Sequence, residues 1–217
     1  MKNVELQAIA SQLKHPTGEK GIEMANMMHE TNINMTLHSI QNLNLAKGNK
    51  VLELGHGNAR HVSHLFQQTD DLTYYGLEIS DLMFYEAQQI NNHFVANKKA
   101  SFFLYDGNHI PFQDAFFDKI FTVNTLYFWK EPEKFLLEIY KVLKEKGVFS
   151  LTFAEESFMK QLPFTRYEFE LYSTEKAQEL IQKTPFKVIK KEISTEKIKN
   201  KTGELVERAF TTLVLEK

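Results

Sequence analysis

The sequence predicts an α/β fold, in which a doubly wound and mostly parallel sheet is covered by helices on both faces. Through the middle of the chain, short apolar runs of strand length alternate with amphipathic helical segments, a pattern typical of parallel βαβ units. Near the C-terminal end, two runs of alternating polarity, residues 187–198 and 205–215, flank residues 200–203. Turn residues between two such runs indicate a hairpin, so one strand of the sheet must run antiparallel.

Composition points to one globular domain. The chain has 217 residues, of which 42% are hydrophobic and 12% aromatic, enough apolar surface for one large core. Its formal net charge of −2 gives no general attraction to phosphates, so no nucleic-acid partner is expected. The absence of cysteine excludes disulfide bonds, zinc ribbons and thiol nucleophiles. The choice between monomer and homodimer stays open.

No targeting or membrane-spanning segment is expected. The first residues, MKNVELQAIASQ, lack the apolar stretch of a secretory signal. No run approaches the roughly 18 uninterrupted apolar residues that a membrane span needs. Together with the lack of cysteine, these features predict a cytoplasmic protein.

The first forty-odd residues are predicted to be helical and rich in methionine. Apolar positions at helical spacing predict a helix over residues 4–13, which His15-Pro16-Thr17-Gly18 ends. Residues 20–45 predict one or two further helices, interrupted near Thr31 and Asn32. The methionines here fit a helix core better than a pliable lid over an apolar ligand, and both interpretations stay open.

The remaining elements follow one another in βα order. Strands are predicted at residues 51–54, 72–79, 100–105, 117–123 and 148–154. Helices are predicted at residues 61–68, 80–96, 133–144 and 174–183. Ser80 is a good N-cap for the second of these helices and Ser173 or Thr174 for the last, while Gly147 is expected to stop the third. With the two hairpin strands, seven strands form the sheet.

A glycine-containing loop, Gly55-His56-Gly57-Asn58-Ala59-Arg60, joins the first strand to the helix that follows it. Two glycines at such a junction let the backbone approach a ligand and leave helix N–H groups directed at it, but alone the signal is weak. The dinucleotide fingerprint requires a small residue at the sixth position, where Arg60 stands, and Ala59 comes one place early. A P-loop requires Gly-Lys-Ser/Thr, which does not follow. The spacing argues against NAD and against phosphoryl transfer.

The segment Glu53-x-Gly55-x-Gly57-x-Ala59 resembles the first motif of the class I S-adenosylmethionine-dependent methyltransferases, an acidic residue followed by G-x-G-x-G/A. The resemblance covers roughly residues 51–153 and continues in order through further matching segments: Glu78, Asp106-Gly107, Ile110-Pro111-Phe112, Phe116-Phe117-Asp118 and Val142-Leu143-Lys144-Glu145-Lys146-Gly147. The sequence looks most like the methyltransferase type 11 branch, which acts on small molecules. The resemblance implies a Rossmann-like sheet, S-adenosyl-L-methionine as cofactor and S-adenosyl-L-homocysteine as product.

Two acidic residues on strand ends are expected to bind the cofactor. Glu78 lies about twenty residues beyond the glycines, where an acidic side chain accepts hydrogen bonds from a ribose diol; the alternative is a solvated strand end. Glu53 lies in an otherwise apolar strand and must have partners, because an isolated buried charge is costly. The resemblance implies that Glu53 holds the methionine amino group, directly or through water; the alternative is a cap on loop N–H groups. Gly55 and Gly57 would contact the methionyl moiety, and Asn58 opens the following helix.

The resemblance implies adenine contacts at the ends of the second and third strands. Asp106 would accept a hydrogen bond from the exocyclic amine, with Gly107 and Asn108 close to the ring. The alternative for Asp106 is an Asx turn. Ile79 and Met83 are expected either against the adenine's other edge or in the core.

The methyl acceptor is expected near the end of the fourth strand. In this family that strand end lines the floor beneath the transferred methyl, so Asn124 is expected to offer its backbone carbonyl to the cofactor's amino group. Tyr127 or Trp129 would meet the substrate, unless they serve only in packing. His15 and Asn32 look like the polar part of a cover formed by the segment before the first strand.

No catalytic residue is evident, because displacement at a sulfonium methyl requires alignment and exclusion of water rather than a covalent nucleophile on the protein. The histidines of the loop and the next helix, His56, His61 and His64, are interpreted as surface or capping residues. Metal binding is not expected, because no third ligand accompanies them. Three other histidines are better placed to be a general base, and the sequence does not choose among them: His15, His29 and His109.

These observations predict a single domain in two parts, residues 1–46 as a helical cover of the active site and residues 47–217 as the S-adenosylmethionine-binding part. The predicted function is transfer of a methyl group to a small-molecule acceptor. One alternative is a non-catalytic nucleoside-binding regulator or complex subunit that kept the cofactor pocket. A NAD-dependent dehydrogenase is disfavoured by the loop spacing.

Overall fold

The computed structural model describes residues 3–199 and 204–217, which form one seven-stranded sheet with flanking helices. The strands are β1 (Asn49–Leu54), β2 (Leu72–Glu78), β3 (Ala100–Leu104), β4 (Phe117–Val123), β5 (Leu143–Ala154), β6 (Lys187–Lys199) and β7 (Leu205–Glu216). The helices are α1 (Asn3–Lys14), α2 (Gly18–Gln41), α3 (Val62–Gln68), α4 (Asp81–Ile90), α5 (Asn92–Ala96), α6 (Pro132–Val142), α7 (Glu156–Met159) and α8 (Thr174–Ile181). Two short 3₁₀ segments lie at Leu126–Phe128 and Pro163–Arg166.

The strand order is β3-β2-β1-β4-β5-β7-β6, and β7 is the strand that runs antiparallel to its neighbours. The pairs among the first five strands are all parallel, with Leu52 of β1 opposite Tyr75 of β2 and Ile120 of β4. The Rossmann-like fold class, its seven strands and its C-terminal hairpin are therefore confirmed. The predicted turn at residues 200–203 lies outside the described residues.

The sheet separates two apolar cores because successive side chains of a strand point to opposite faces. Val51 and Leu52 are neighbours on β1 and both are fully buried, but they belong to different cores. Leu52 packs with Phe149 of β5 on one face, and Val51 packs with Leu65 of α3 on the other. Burial of both faces is typical of a sheet whose parallel strands are linked by helical crossovers.

The N-terminal segment is one continuous helix from Gly18 to Gln41, so the predicted interruption near Thr31 and Asn32 is wrong. The Thr31 hydroxyl donates to the carbonyl of Met27 over 2.9 Å, which satisfies this polar side chain inside the helix. Further along α2, Ser39 Oγ lies 2.8 Å from Ser150 Oγ of β5. This buried contact fixes α2 to the sheet.

Two other boundaries differ from the sequence predictions. The predicted helix over residues 80–96 divides into α4 and α5 at Asn91, whose side-chain amide donates to the carbonyls of Ala59 and Ala87, both over 3.0 Å. Helix α6 ends at Val142, and Gly147 lies inside β5 rather than stopping the helix. The chain leaves α6 early because Leu143 already pairs with Phe117 of β4. Ser80 and Ser173 cap α4 and α8 as predicted, by accepting from the backbone N–H three residues on.

Candidate cofactor site

A cavity of about 180 Å³ opens at the carboxyl ends of β1, β2 and β4, underneath α1 and α2. The strand order reverses here, because β2 lies on one side of β1 and β4 on the other, and such a switch point is where open α/β sheets bind ligands. Nine of the eleven residues predicted to bind the cofactor line this one cavity: Glu53, Gly55, Gly57, Asn58, Glu78, Ile79, Met83, Gly107 and Asn124.

The glycine loop adopts a backbone shape that favours glycine at both positions. Gly55 has a φ of +73° and Gly57 a φ of +56°, in the left-handed region. A Cβ atom on Gly55 would lie 2.5 Å from Cγ2 of Thr125, so the loop packs closely on the residue after β4. A Cβ atom on Gly57 would meet no atom within 4 Å. The loop therefore rests against the sheet at Gly55 and presents open space at Gly57.

Glu78 holds the glycine loop to the end of β2. Its carboxylate is 5% exposed, and Oε2 accepts from the Gly57 backbone N–H over 2.9 Å. Oε1 accepts from the N–H groups of Ile79 at 2.8 Å and Ser80 at 3.1 Å. A carboxylate offers about four acceptor sites, so three backbone bonds leave capacity for a ligand hydroxyl. The sequence suggested a ligand-binding role for Glu78, and the structure adds that the same carboxylate orders the loop.

Glu53 has the partners that a buried charge requires. It is 3% exposed, and Oε2 accepts from the Tyr74 hydroxyl over 2.6 Å and from Nε2 of His61 over 2.7 Å. Burial, together with the negative charge of Glu53, raises the pKa of Tyr74 well above its usual value, so that the phenol stays a neutral donor. Oε1 has no hydrogen-bond partner among the described residues. The arrangement fixes one oxygen and leaves the other for a ligand.

His56 and His61 are buried rather than on the surface, which corrects the sequence-based interpretation. The His56 ring packs on Gly76, where an added Cβ atom would lie 2.6 Å from its Cδ2. Nδ1 of His56 bonds to the carbonyl of Gly57 over 2.7 Å, and Nε2 is buried with no partner among the described residues. Burial lowers the pKa of His56 and so favours the neutral ring. His61 braces Glu53, and neither ring caps a helix with its side chain.

Four predicted residues lie outside the lining of this cavity: Asp106, Asn108, His15 and Tyr127. Asp106 is exposed, and its Oδ1 accepts from the N–H groups of Asn108 and His109, both over 2.8 Å. These two bonds lower the pKa of the Asp106 carboxyl and form the Asx turn that was the alternative interpretation. Asn108 is exposed in the same turn, and His15 is exposed at the end of α1. Their side chains do not converge with Glu53 and Glu78.

The residues beyond β4 are divided between the cofactor cavity and a second cavity next to it. Asn124 has a φ of +59° and lines both cavities; its Oδ1 accepts from the Ala154 N–H and the Tyr127 hydroxyl, both over 3.0 Å. Tyr127 is 3% exposed, lines only the second cavity, and uses its hydroxyl to brace this junction. Trp129 lines only the cofactor cavity, and Asn32 lines both.

Sequence reasoning named Asn32 and His29 but missed the continuous face that α2 turns toward the cavity. Ala25, Met28, His29 and Thr36 line the cavity together with Asn32, at the spacing of three and four residues that places side chains on one helix face. Recognising this face requires α2 to be continuous. Burial, followed by the nearby His61 and Arg60, lowers the pKa of His29 and favours its neutral form. Tyr74 was also missed, because nothing in its strand marks it as the partner of Glu53.

Comparisons with known proteins show a likeness to methyltransferases. Residues 52–151 match the family model described as a methyltransferase domain. YdaC of Bacillus subtilis (strain 168), an uncharacterised methyltransferase, is 25% identical over 122 residues, which cover 55% of this chain and 65% of YdaC. The match thus spans less than two thirds of that relative's length.

Two solved structures are similar along nearly the whole chain. One is a chain of the complex between the Haloferax volcanii Trm112 methyltransferase activator and a methyltransferase; the TM-score is 0.73 at 16% identity, covering 96% of this chain and 97% of that one. The other is an S-adenosylmethionine-dependent methyltransferase from Aquifex aeolicus, with a TM-score of 0.66 at 18% identity, covering 97% and 98%. At this identity the likeness supports the fold.

A doubly wound sheet with a glycine loop and two acidic residues at its switch point is the arrangement of a Rossmann-like fold. Over residues 52–151, just under half of the chain, the sequence is similar to the methyltransferase domain family, and the fold is that of the class I S-adenosylmethionine-dependent methyltransferases. Within residues 3–199 and 204–217, no helix is both long and apolar enough to cross a bilayer.

Proposed function

We propose that this protein transfers a methyl group from S-adenosylmethionine to a small-molecule acceptor. The observation that carries the proposal is the convergence of Glu53 and Glu78, each at most 5% exposed, on the glycine loop in one cavity. The unpartnered Oε1 of Glu53 suits the ammonium group of the cofactor, directly or through water. Glu78 suits the ribose hydroxyls, and the open space at Gly57 suits the methionyl chain.

The remaining cofactor contacts follow from the cavity and its rim. Ile79, Met83 and Gly107 line the cavity near the end of β2 and form the adenine side of the proposed site. Asp106 and Asn108 lie outside the cavity lining, on either side of Gly107; Oδ2 of Asp106, which has no partner among the described residues, is the proposed acceptor for the adenine amine at the rim. Asn58 and the backbone carbonyl of Asn124 complete the methionyl side.

The bound cofactor supplies an electrophilic methyl group on a sulfonium. The electron pair of the acceptor atom forms the new bond to the methyl carbon, the carbon–sulfur bond breaks, and the sulfur keeps that pair as a neutral thioether. A proton on the acceptor atom then leaves to water. The contribution of the protein is alignment and exclusion of bulk water, for which residues 1–46 form the cover over the cofactor-binding part at residues 47–217.

A second candidate is a cofactor-binding subunit that works in a complex. It is favoured by the likeness to a chain from a complex with the Trm112 activator. In that case the chain binds S-adenosylmethionine but transfers no methyl group alone. The same site serves both candidates, so they differ in transfer rather than in binding.

Incubation of the purified protein with S-adenosylmethionine labelled in the methyl group and a cell-extract metabolite pool tests the proposal. We expect protein-dependent label in a small extractable product. Label only in precipitated macromolecules contradicts the small-molecule acceptor. Binding of S-adenosylhomocysteine without label in any fraction favours the complex subunit, and a rise in melting temperature with NAD alone favours a dehydrogenase.

A further inference from the structure

We infer that the second cavity is the acceptor site and that it takes an uncharged, largely apolar molecule. The inference rests on the proposed function, whose cofactor site lies next to it. The cavity has a volume of about 370 Å³ and lies between α1, α2, the segment after β5 and the β6–β7 hairpin. Cavities of this size typically bind small organic molecules.

The two cavities share a wall, which makes the second one the direct neighbour of the proposed methyl donor. Five residues line both of them: Leu13, Met28, Asn32, Asn124 and Phe128. Methyl transfer requires the acceptor atom to approach the methyl carbon closely and in line. A molecule seated in the second cavity reaches the cofactor cavity across this shared wall.

The walls of the second cavity are mostly apolar. Fifteen of its twenty lining residues are aliphatic, aromatic, proline or methionine. Met27 comes from α2, Phe164 and Phe169 from the segment after β5, and Ile198 from β6, and each of these side chains is half-buried. Displacement of water from such apolar walls by an apolar ligand is favourable.

Inside the cavity, no unpaired charge of the described residues is available to a ligand. Arg208 is 4% exposed, and its guanidinium donates to Glu196 Oε1 through Nε and Nη2, at 3.1 and 2.7 Å. The same group donates to Asn32 Oδ1 at 2.8 Å and to the Thr31 carbonyl at 2.6 Å. Arg208 therefore clamps the hairpin to α2 instead of binding an anion. The other cation of the lining, Lys199, is exposed at the end of β6, and no acidic side chain belongs to the lining.

One polar group remains where the two cavities meet. The Asn32 amide accepts from Arg208 through Oδ1, while its Nδ2 has no partner among the described residues. The Arg208 bond fixes the orientation of this amide, so Nδ2 presents a donor toward the shared wall. The acceptor class that fits is a neutral aromatic or aliphatic molecule with one hydrogen-bond acceptor close to the atom that is methylated.

Fluorescence titration of the full chain with the neutral probe N-phenyl-1-naphthylamine tests the inference. We expect saturable binding in the wild type. Ile198→Glu, which puts a carboxylate into the apolar wall, should weaken binding by about tenfold or more. Ile193→Glu is the matched control, because Ile193 lies on the same strand, is 58% exposed and does not line the cavity; its affinity should stay at the wild-type value.

Displacement of the probe by competing ligands tests whether the cavity prefers a neutral ligand to a charged one. Neutral 2-naphthol should displace it at about tenfold lower concentration than 2-naphthoate, which has a similar ring and a negative charge. No probe binding, equal loss in both glutamate variants, or displacement by naphthoate as readily as by naphthol overturns the inference. Calorimetric binding of S-adenosylhomocysteine to the same samples is read separately, so a failure of the cofactor site is distinguished from a failure of the acceptor site.

Discussion

The carboxylate of Glu78 accepts a hydrogen bond from the backbone N–H of Gly57 over 2.9 Å, across 21 positions of the sequence. The bond joins the end of β2 to the loop that follows β1, in the cavity at the switch point of the sheet. Because Glu78 both shapes the loop and lines the cavity, the proposed ligand binding would be coupled to the order of the loop. Substitution of Glu78 should therefore affect affinity through both effects.

The two loop glycines should respond differently to alanine. Gly57→Ala places a methyl group in open space of the cofactor cavity, so it should cost only about 1 kcal/mol of stability from the left-handed backbone but weaken S-adenosylhomocysteine binding at least about tenfold. Gly55→Ala also drives a methyl group against Thr125, and should cost about 2 kcal/mol or more. Urea denaturation and calorimetry of both variants check this. Equal stability losses, or unaltered affinity in Gly57→Ala, contradict it.

Removing the Tyr74 hydroxyl should destabilise the fold. Tyr74→Phe takes one of the two recorded partners from the buried carboxylate of Glu53, and a hydrogen bond to a charged group contributes about 1.5–3 kcal/mol. Tyr75→Phe is the matched control on the same strand, because the Tyr75 hydroxyl has no hydrogen bond among the described residues; its loss should stay within about 0.5 kcal/mol. Urea unfolding measures both. Similar losses for the two variants would show that the contact with Glu53 contributes little.

Stability should fall on acidification because of His56. Its folded-state pKa is lowered by burial, so below the ordinary pKa of about 6.5 the unfolded chain binds a proton that the folded chain does not. Stability is thus fully present above that value and declines as the pH drops toward the folded-state pKa, with a slope of at most about 1.4 kcal/mol per pH unit for one proton.

His56→Asn isolates this contribution. The asparagine amide can still donate to the Gly57 carbonyl, but it does not titrate. Free energies of unfolding measured between pH 7.5 and 5 should decline less steeply in the variant than in the wild type. Identical slopes would exclude His56 as the source of the pH dependence.

Removing one partner of the buried Arg208–Glu196 ion pair should destabilise the protein more than removing both partners. Both side chains are at most 9% exposed, so Arg208→Met leaves an uncompensated carboxylate and should cost about 3–5 kcal/mol. The double variant Arg208→Met with Glu196→Leu should recover much of that loss, because neither charge remains buried. Thermal and urea unfolding of the single and double variants measure the coupling. A double variant no more stable than Arg208→Met would contradict the assignment.

Much of the sheet was predictable because each strand of the first five is a short apolar run bounded by polar residues. Helix continuity was not, since Thr31 and Asn32 read as a break. In the structure the Thr31 hydroxyl bonds to its own helix and the Asn32 side chain to Arg208, a residue from β7. The sequence around α2 does not reveal the second contact. Tertiary partners therefore override the local polarity.

The candidate site was likewise only partly predictable from the sequence. Gly55, Gly57 and Glu78 follow from strand ends and spacing, the role of Glu53 is implied by the family resemblance, and the structure brings all four to one cavity. The bonds that hold Glu53 come from Tyr74 and His61, on different elements, and local sequence gives no sign of them. The exposed position of Asp106 likewise depends on how its loop turns rather than on its residue type.

Calorimetric titration of S-adenosylhomocysteine into the wild type and Glu78→Gln tests the central claim most directly. We predict saturable binding in the wild type and an affinity lower by roughly 10- to 100-fold in Glu78→Gln. The substitution removes a charged acceptor for the ligand, and it also takes the carboxylate from the Gly57 N–H of the loop. Glu133→Gln, an exposed change on α6, should bind like the wild type. No binding by the wild type, or equal affinity in the wild type and Glu78→Gln, would contradict the assignment of this cavity to the cofactor.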